Sequence, residues 1–202
     1  MSKAHNGWLL IVGVISQIVG WIAFYPADPA KETSVQAAAL RADETMAYVG
    51  LIMGFGGMIA MLFALMNVAK NVQTAGGQGS SYAGVAAFLF SLIAAAALVC
   101  TGLEFSVIGA SSDAGAVTLM GTSLSIGNAM ILGVGLATLL LGTSILLTKN
   151  GYLVVGGFAI LVGIVMLIAP FFGQDTPITG LGFAGWGIAS IGIGVHSIKS
   201  SD

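Results

Sequence analysis

The chain has 202 residues, of which 57% are hydrophobic and only 7% charged, and its formal net charge is -2. Soluble domains carry roughly 25% charged residues, so this composition excludes a water-soluble globular protein and indicates a surface that largely faces lipid. The sequence has no basic tract, which argues against a nucleic-acid partner, and its single cysteine, Cys100, excludes an intrachain disulfide and a cysteine-rich metal site.

Six stretches of the chain are long enough and apolar enough to cross a bilayer, which takes about 20 residues of helix. They predict an all-α protein, a polytopic transmembrane helix bundle that forms a single domain over residues 1–202. The third and fourth stretches are longer than a bilayer is thick, so they must tilt or project beyond it. The predicted spans are residues 7–25, 47–69, 82–109, 118–148, 152–172 and 178–198.

The first span also has features of a signal peptide. Lys3 precedes an apolar run over residues 8–24, and residues 25–30 resemble a cleavage region. The run is long for a signal peptide, however, and it contains Gln17. We therefore expect a retained first helix, with cleavage and five remaining spans as the alternative.

The connections between the spans differ in kind. Pro26 and Pro29 end the first span. Residues 34–46 predict a short outer helix that is capped by Thr33 or Ser34 and runs directly into the second span. A flexible loop is predicted at residues 70–81, and short turns are predicted at residues 110–117, 149–151 and 174–177.

The placement of lysine and arginine predicts the orientation of the chain. With six spans, both termini share one side with the connections at 70–81 and 149–151. That side holds most of the basic residues, so we expect it to be cytoplasmic and the protein to lie in the cell membrane. The basic residues on this side are Lys3, Lys70, Lys149 and Lys199.

Glu104 is the one acidic residue within an apolar run. It follows Tyr82 by 22 residues, which is roughly 33 Å of helix at about 1.5 Å per residue and places it near the outer interface. One interpretation is an interfacial carboxylate that pairs with Arg41 of the outer link. The alternative is a proton or cation site, because ionisable groups inside a membrane are costly and often functional.

Three further polar residues within the spans are candidates for a site. Gln17 lies close to the midplane of the first span, where it either bonds to another helix or contacts a substrate. Ser125 and Asn128 belong to a polar stretch of the fourth span. Together with Glu104 they predict a shallow outer cavity, and hydrogen bonding between helices is the alternative.

No residue pattern predicts a catalytic residue, a bound cofactor or a metal site. His5 and His196 lack the nearby carboxylates that a metal site needs. Cys100 lies in an alanine-rich stretch and has no basic neighbour that would activate it. The sequence therefore gives no positive indication of an enzyme.

The last span carries a stripe of small residues at spacings of three and four, which places them on one face of a helix. Small residues allow another helix to approach closely. We expect this helix-packing seam to lie within the bundle, with an interface to another chain as the alternative. The seam consists of Gly182, Gly185, Ala189 and Gly192.

Residues 37–72, which include Ala37-Ala-Ala-Leu-Arg-Ala-Asp-Glu-Thr-Met46 and Asn67-Val-Ala-Lys-Asn-Val72, resemble a group of uncharacterised prokaryotic membrane proteins. These proteins have six predicted helices and a polar helical link after the first. The resemblance covers the first two spans and the general layout, and it implies no function.

Three functions are compatible with these features. The low charge, short loops and small-residue seams favour an accessory or structural subunit of a larger membrane complex, with other membrane subunits or a homo-oligomer as partners within the bilayer. The polar residues inside the spans favour a small-solute or ion transporter or channel. A membrane enzyme is the third possibility.

Overall fold

A computed structural model describes residues 2–148, 153–173 and 176–200. This part of the chain forms seven α-helices and no strand, which confirms the all-α prediction. A π-helical turn at Gly20–Phe24 continues the first helix, and a 3-10 turn at Ala169–Phe171 continues the sixth. The turn predicted at 149–151 and half of that at 174–177 lie outside the described residues. The helices are α1 (Lys3–Val19), α2 (Thr33–Ala42), α3 (Glu44–Ala75), α4 (Ser80–Ile108), α5 (Asp113–Thr148), α6 (Leu153–Ile168) and α7 (Pro177–Lys199).

Among the described residues, six helices are long and apolar enough to cross a membrane, and α2 is the helix that is not. A backbone in lipid must satisfy its hydrogen bonds internally, so apolar runs of this length are stable there as helices. The chain is therefore a multi-pass integral membrane protein.

The six long helices form a closed ring. Each of α3, α4, α5, α6 and α7 packs against the long helix before it, and α7 packs back against α1. Neighbouring helices run in opposite directions. The ring therefore has a terminal end, where α1 begins and α7 ends, and an α2 end, where α2 packs across α5, α4 and α3.

Glycine-to-backbone contacts hold α1 in the ring. A Cβ atom on Gly20 would lie 2.3 Å from the backbone nitrogen of Gly54, and one on Gly13 would lie 2.8 Å from the carbonyl oxygen of Gly57. At the terminal end, a Cβ atom on Gly7 would lie 2.4 Å from the carbonyl oxygen of Gly194. No larger residue fits at these positions, because backbone atoms of the neighbouring helix occupy the space that a side chain would need. Such close approach of two backbones is a main source of cohesion between helices in lipid.

The predicted helix-packing seam of α7 faces α6. Cβ atoms on Gly182 and Gly185 would contact the side chains of Met166 and Val162, and Ala189 is buried. Gly192 lies over Val155 in the same way. The structure therefore places the seam at the contact between α6 and α7, where Gly185 also borders an apolar groove on the outside of these two helices.

The outer helix differs from its prediction at both ends. It begins at Thr33, and its N-cap residue is Glu32, whose side chain accepts no hydrogen bond from the first turn of the helix. It ends at Ala42 and does not run into α3, because Asp43 leaves the helical conformation (φ -132°, ψ 76°). The Asp43 side chain instead accepts a hydrogen bond from the Met46 amide at 3.1 Å and caps α3.

The predictions for residues 70–81 and 110–117 were also wrong in extent. Helix α3 continues to Ala75 and stops at Gly76 and Gly77, whose positive φ values of 78° and 91° favour glycine. Helix α5 begins at Asp113, where the Ser112 hydroxyl accepts a hydrogen bond from the backbone N–H of Gly115 at 3.2 Å. The polar ends of both helices project beyond their apolar spans.

Two adjacent glycines of α3 test the importance of close packing. Gly57→Ala would place a Cβ atom 2.5 Å from the backbone nitrogen of Gln17, whereas Gly56→Ala would meet nothing within 4 Å. We expect Gly57→Ala to destabilise the protein by about 1–3 kcal/mol through overpacking. Gly56→Ala should be neutral or stabilising by about 0.5–1 kcal/mol, since alanine favours a helix. Thermal unfolding in detergent measures both, and equal effects of the two variants would contradict this account of the α1–α3 contact.

Candidate functional site

The ring encloses a cavity of about 690 Å³ towards its α2 end. Helices α1, α3, α4, α5 and α7 contribute to its lining, which is predominantly apolar. Along α1 the lining extends from Val14 to Tyr25, eleven residues apart, which is roughly 16 Å of helix. The cavity therefore reaches about half of the way through a hydrocarbon layer of roughly 30 Å.

Glu104 of α4 lies in the lining of this cavity and is only 4% exposed. The hydroxyl of Tyr25 donates to its Oε2 atom at 2.7 Å, and the hydroxyl of Ser123 donates to its Oε1 atom at 2.7 Å. Both carboxyl oxygens are thus hydrogen-bonded, which offsets part of the cost of burying them. Neither partner is a cation.

The π-helical turn at the end of α1 positions Tyr25. The backbone N–H of Tyr25 donates to the carbonyl of Gly20 at 2.9 Å, which closes the wide turn. Gly50 of α3 lies directly against this backbone, since a Cβ atom there would be 2.8 Å from the Cα atom of Tyr25. The turn therefore directs the phenol towards α4, and π-helical turns frequently occur at functional sites.

Aromatic rings cluster beside the carboxyl group. The ring centroids of Trp21 and Tyr25 are 4.6 Å apart at 83°, and those of Trp21 and Phe55 are 4.9 Å apart at 78°. Edge-to-face geometry of this kind stabilises and orients the rings. Phe183 and Trp186 contribute aromatic surface from α7.

The cavity opens sideways between α1 and α7. These helices touch at Gly7 and Gly194 and again at Val14 and Gly187. Towards the α2 end the two helices separate, and a Cβ atom on Gly180 would accordingly meet nothing within 4 Å. Ile22, which is part of the lining, is 81% exposed. Because this opening lies within the candidate spans, it faces the lipid.

Helix α2 and its preceding link cover the α2 end of the cavity. Ala27, Pro29 and Gln36 belong to the lining. Arg41, in the last turn of α2, forms a salt bridge with Asp113 in the first turn of α5. The expected pairing of Arg41 with Glu104 is therefore wrong. Each partner complements the dipole of its own helix end, which favours the observed pair.

The structure brings together only part of the candidate set. Glu104 and Gln17 both line the cavity, and the structure shows no hydrogen bond from the Gln17 side chain to any described residue. Ser125 and Asn128 are exposed and do not line it, and the Ser125 hydroxyl donates to the carbonyl of Gly121 in its own helix at 2.8 Å. The predicted outer cavity with Ser125 and Asn128 is thus replaced by a deeper one.

Sequence reasoning missed Ser123 and Tyr25 as partners of Glu104. Ser123 is one of several hydroxyl residues in the polar stretch of the fourth span, and the sequence does not show which of them faces α4. Tyr25 ends an apolar run, where tyrosine is typical of the membrane interface, so the sequence gives no sign that its hydroxyl reaches α4. Within the described part of the chain, no three histidine, cysteine or acidic residues lie close enough together to hold a metal ion.

The fold and the site define an integral membrane protein with an internal, laterally open cavity around one buried carboxyl group. Comparison with known proteins adds no family, because no protein-family model, no curated protein and no solved structure matches the chain. The resemblance of residues 37–72 to uncharacterised membrane proteins therefore stays a prediction.

Two serines on α5 provide a matched test of the Glu104 site. Ser123→Ala removes a hydroxyl that donates to the buried carboxyl group, and we expect it to destabilise the protein by about 1–3 kcal/mol. Ser125→Ala removes an exposed hydroxyl that bonds only to its own helix, and we expect almost no change. Thermal unfolding of both variants is the measurement, and a Ser125→Ala effect as large as that of Ser123→Ala would show that the carboxyl contact is unimportant.

Proposed function

We propose that the protein binds a small, largely apolar solute in the cavity and transports it across the membrane, with Glu104 as the polar contact. The observation that carries this proposal is the buried Glu104 carboxyl group in the lining of a large apolar cavity. A site that served packing alone would be filled by side chains. A cavity of about 690 Å³ instead falls within the range of roughly 300–1,000 Å³ that is typical of small-molecule sites.

The position of the cavity supports transport as the reason for binding. It is open between α1 and α7 near its α2 end, while the contacts of Gly7 with Gly194 and of Val14 with Gly187 separate it from the terminal end. A solute that crosses the membrane would pass when those contacts open and the other opening closes. Binding sites near the middle of a bundle with access from alternating sides are characteristic of transporters.

The orientation proposed from the basic residues determines which leaflet of the membrane the cavity opening faces. Lys3 and Lys199 lie at the terminal end of the ring, where α1 begins and α7 ends. If this end is cytoplasmic, as the excess of lysine supports, then the opening between α1 and α7 faces the outer leaflet.

An accessory subunit of a larger membrane complex is the second candidate. An apolar groove runs along the outside of α6 and α7, where Leu161 and Leu181 are 62% and 69% exposed. Such a groove fits another membrane helix as well as lipid. The native mass of the protein in mild detergent, with identification of copurifying chains, distinguishes a stable complex from a lone chain or homo-oligomer.

Two glycines that meet open space test binding in the cavity. Gly180→Leu places a side chain at the cavity opening, whereas Gly102→Leu makes the same change away from the lining. We expect both variants to fold. As probes we choose 1-naphthylmethanol, (1-naphthylmethyl)trimethylammonium and 1-naphthaleneacetate, which share one ring system and differ in charge.

We expect at least one probe to raise the unfolding temperature of the wild-type protein saturably, Gly102→Leu to keep this effect, and Gly180→Leu to reduce the affinity at least tenfold. The reason is that leucine occupies space that the solute needs. Absence of saturable binding by every probe, or equal binding by the two variants, would count against a solute site in this cavity.

A disulfide across the contact of α1 with α7 separates transport from binding. Gly187 and Val14 are suitable, because a Cβ atom on Gly187 would lie 3.3 Å from Cγ1 of Val14, which is compatible with disulfide geometry. In a Cys100→Ala background, the oxidised Val14→Cys, Gly187→Cys variant should bind the probe as tightly as its own reduced form does, but it should lose uptake of a charged probe into liposomes. Reduction should restore uptake, and unchanged uptake in the oxidised state would exclude opening at this contact.

A further inference from the structure

We infer, on the basis of the proposed function, that the solute is an organic cation, an apolar body that carries one positive group. The site that selects it consists of the Glu104 carboxylate and the aromatic rings of Trp21 and Tyr25. The apolar lining of the cavity does not by itself require the solute to carry a charge. The sign of the charge follows from what surrounds the carboxyl group.

The Glu104 carboxyl group has capacity for a further partner. A carboxylate offers about four lone-pair sites, and the hydroxyls of Tyr25 and Ser123 occupy one on each oxygen. Both are neutral donors, and among the residues that the structure describes no lysine, arginine or histidine belongs to the lining of the cavity. Burial of a carboxylate without a positive partner is expensive, so a positively charged solute gains the compensation that the protein itself does not provide.

The same lining disfavours an anionic solute. Of the described residues in this lining, Glu104 is the only one with a charged side chain, and the other polar side chains, such as those of Gln17 and Gln36, are neutral. An anion would lose its hydration and meet a carboxyl group in place of a cation. The discrimination against an anion should therefore exceed the discrimination against a neutral solute.

Aromatic rings add a second attraction for a cation. Trp21 and Tyr25 line the cavity beside Glu104, and their mutual edge-to-face packing fixes the rings in place. A cation within about 6 Å of the face of an indole or phenol ring is attracted by the ring quadrupole, and this attraction increases when water is excluded.

An inorganic cation fits the site less well than an organic one. Hard metal ions take about six or more oxygen ligands, whereas Glu104, Tyr25 and Ser123 offer one carboxyl group and two hydroxyls in a mostly apolar surrounding. An organic cation brings its own apolar body, which fills the space that a metal ion would leave empty.

The opening between α1 and α7 provides a route for such a molecule. Amphiphilic cations collect at the membrane interface, with the charge among the headgroups and the apolar part in the hydrocarbon. Ile22 and Phe183 belong to the lining and are exposed, and Glu104 lies four residues before the end of α4 at Ile108. The charged group can therefore reach Glu104 from the interface without crossing the centre of the bilayer.

The test compares the three naphthyl probes on the full-length protein in detergent. We expect (1-naphthylmethyl)trimethylammonium to bind the wild-type protein at least tenfold more tightly than 1-naphthylmethanol, and 1-naphthaleneacetate to bind weakest. In Glu104→Gln, which keeps a hydrogen-bonding side chain of the same shape, the cation should lose at least tenfold in affinity while the neutral probe changes less than threefold. Glu44→Gln, at an exposed acid in the first turn of α3, is the matched control and should bind like the wild type.

The outcomes separate this inference from the proposed function. Equal binding of the cation and the neutral probe by the wild-type protein would overturn the cation while leaving a solute site in place. Tighter binding of the anion would do the same. No saturable binding of any probe would overturn both. The charge comparison on the wild-type protein does not depend on whether Glu104→Gln folds, and a cation preference that survives in a folded Glu104→Gln would assign the selection to another group.

Discussion

Close contact between glycines on α1 and the backbones of its two neighbours determines the geometry of the whole site. Gly13 and Gly20 bring α1 against α3, and Gly7 brings its first turn against α7. These contacts leave no room even for a methyl group, so they fix both the register and the rotation of α1. The π-helical turn that follows, and with it the phenol of Tyr25, therefore has one position relative to α4. If α1 could slide or rotate, the hydrogen bond from Tyr25 to Glu104 would not form.

The surroundings of Glu104 show how a membrane protein keeps an acid buried without a basic partner. Arg41 is available at the α2 end, but it pairs with the exposed Asp113, where both side chains retain access to water. Bringing Arg41 inwards would bury a second charged group, and the cost of burying two ions often exceeds their attraction. Two hydroxyl groups donate hydrogen bonds to the carboxyl oxygens at lower cost, and they leave the carboxyl group without a cationic partner. This arrangement suits a group that exchanges a partner better than one that is permanently neutralised.

The sequence predicts the spans well and the site poorly, for a physical reason. Long apolar runs define transmembrane helices by composition alone, so the six spans required no knowledge of neighbours. The rotation of a helix that is apolar on all sides is different, because lipid and protein interior favour the same side chains. Ser123 and Ser125 both belong to one polar stretch, yet a separation of two residues turns them about 200° apart on α5. One reaches Glu104 and the other faces outwards. The Tyr25 contact is less predictable still, since it links residues 79 apart through a π-helical turn.

The ring also indicates which helix moves if the protein is a transporter. Helix α1 contacts α3 through backbone atoms from Gly13 to Gly20, and such contacts do not yield gradually. Helix α7 is held differently, because Gly182, Gly185 and Gly192 lie against side chains of α6, which can change rotamer. Its contact with α1 is a backbone contact only near Gly194, while at Gly187 it meets the side chain of Val14. Rotation of α7 about the contact of Gly7 with Gly194 would therefore displace mainly side chains of α1 and α6 and few backbone atoms. Because α7 borders both the lateral opening and the contact that separates the cavity from the terminal end, one such movement would change access on both sides of the site.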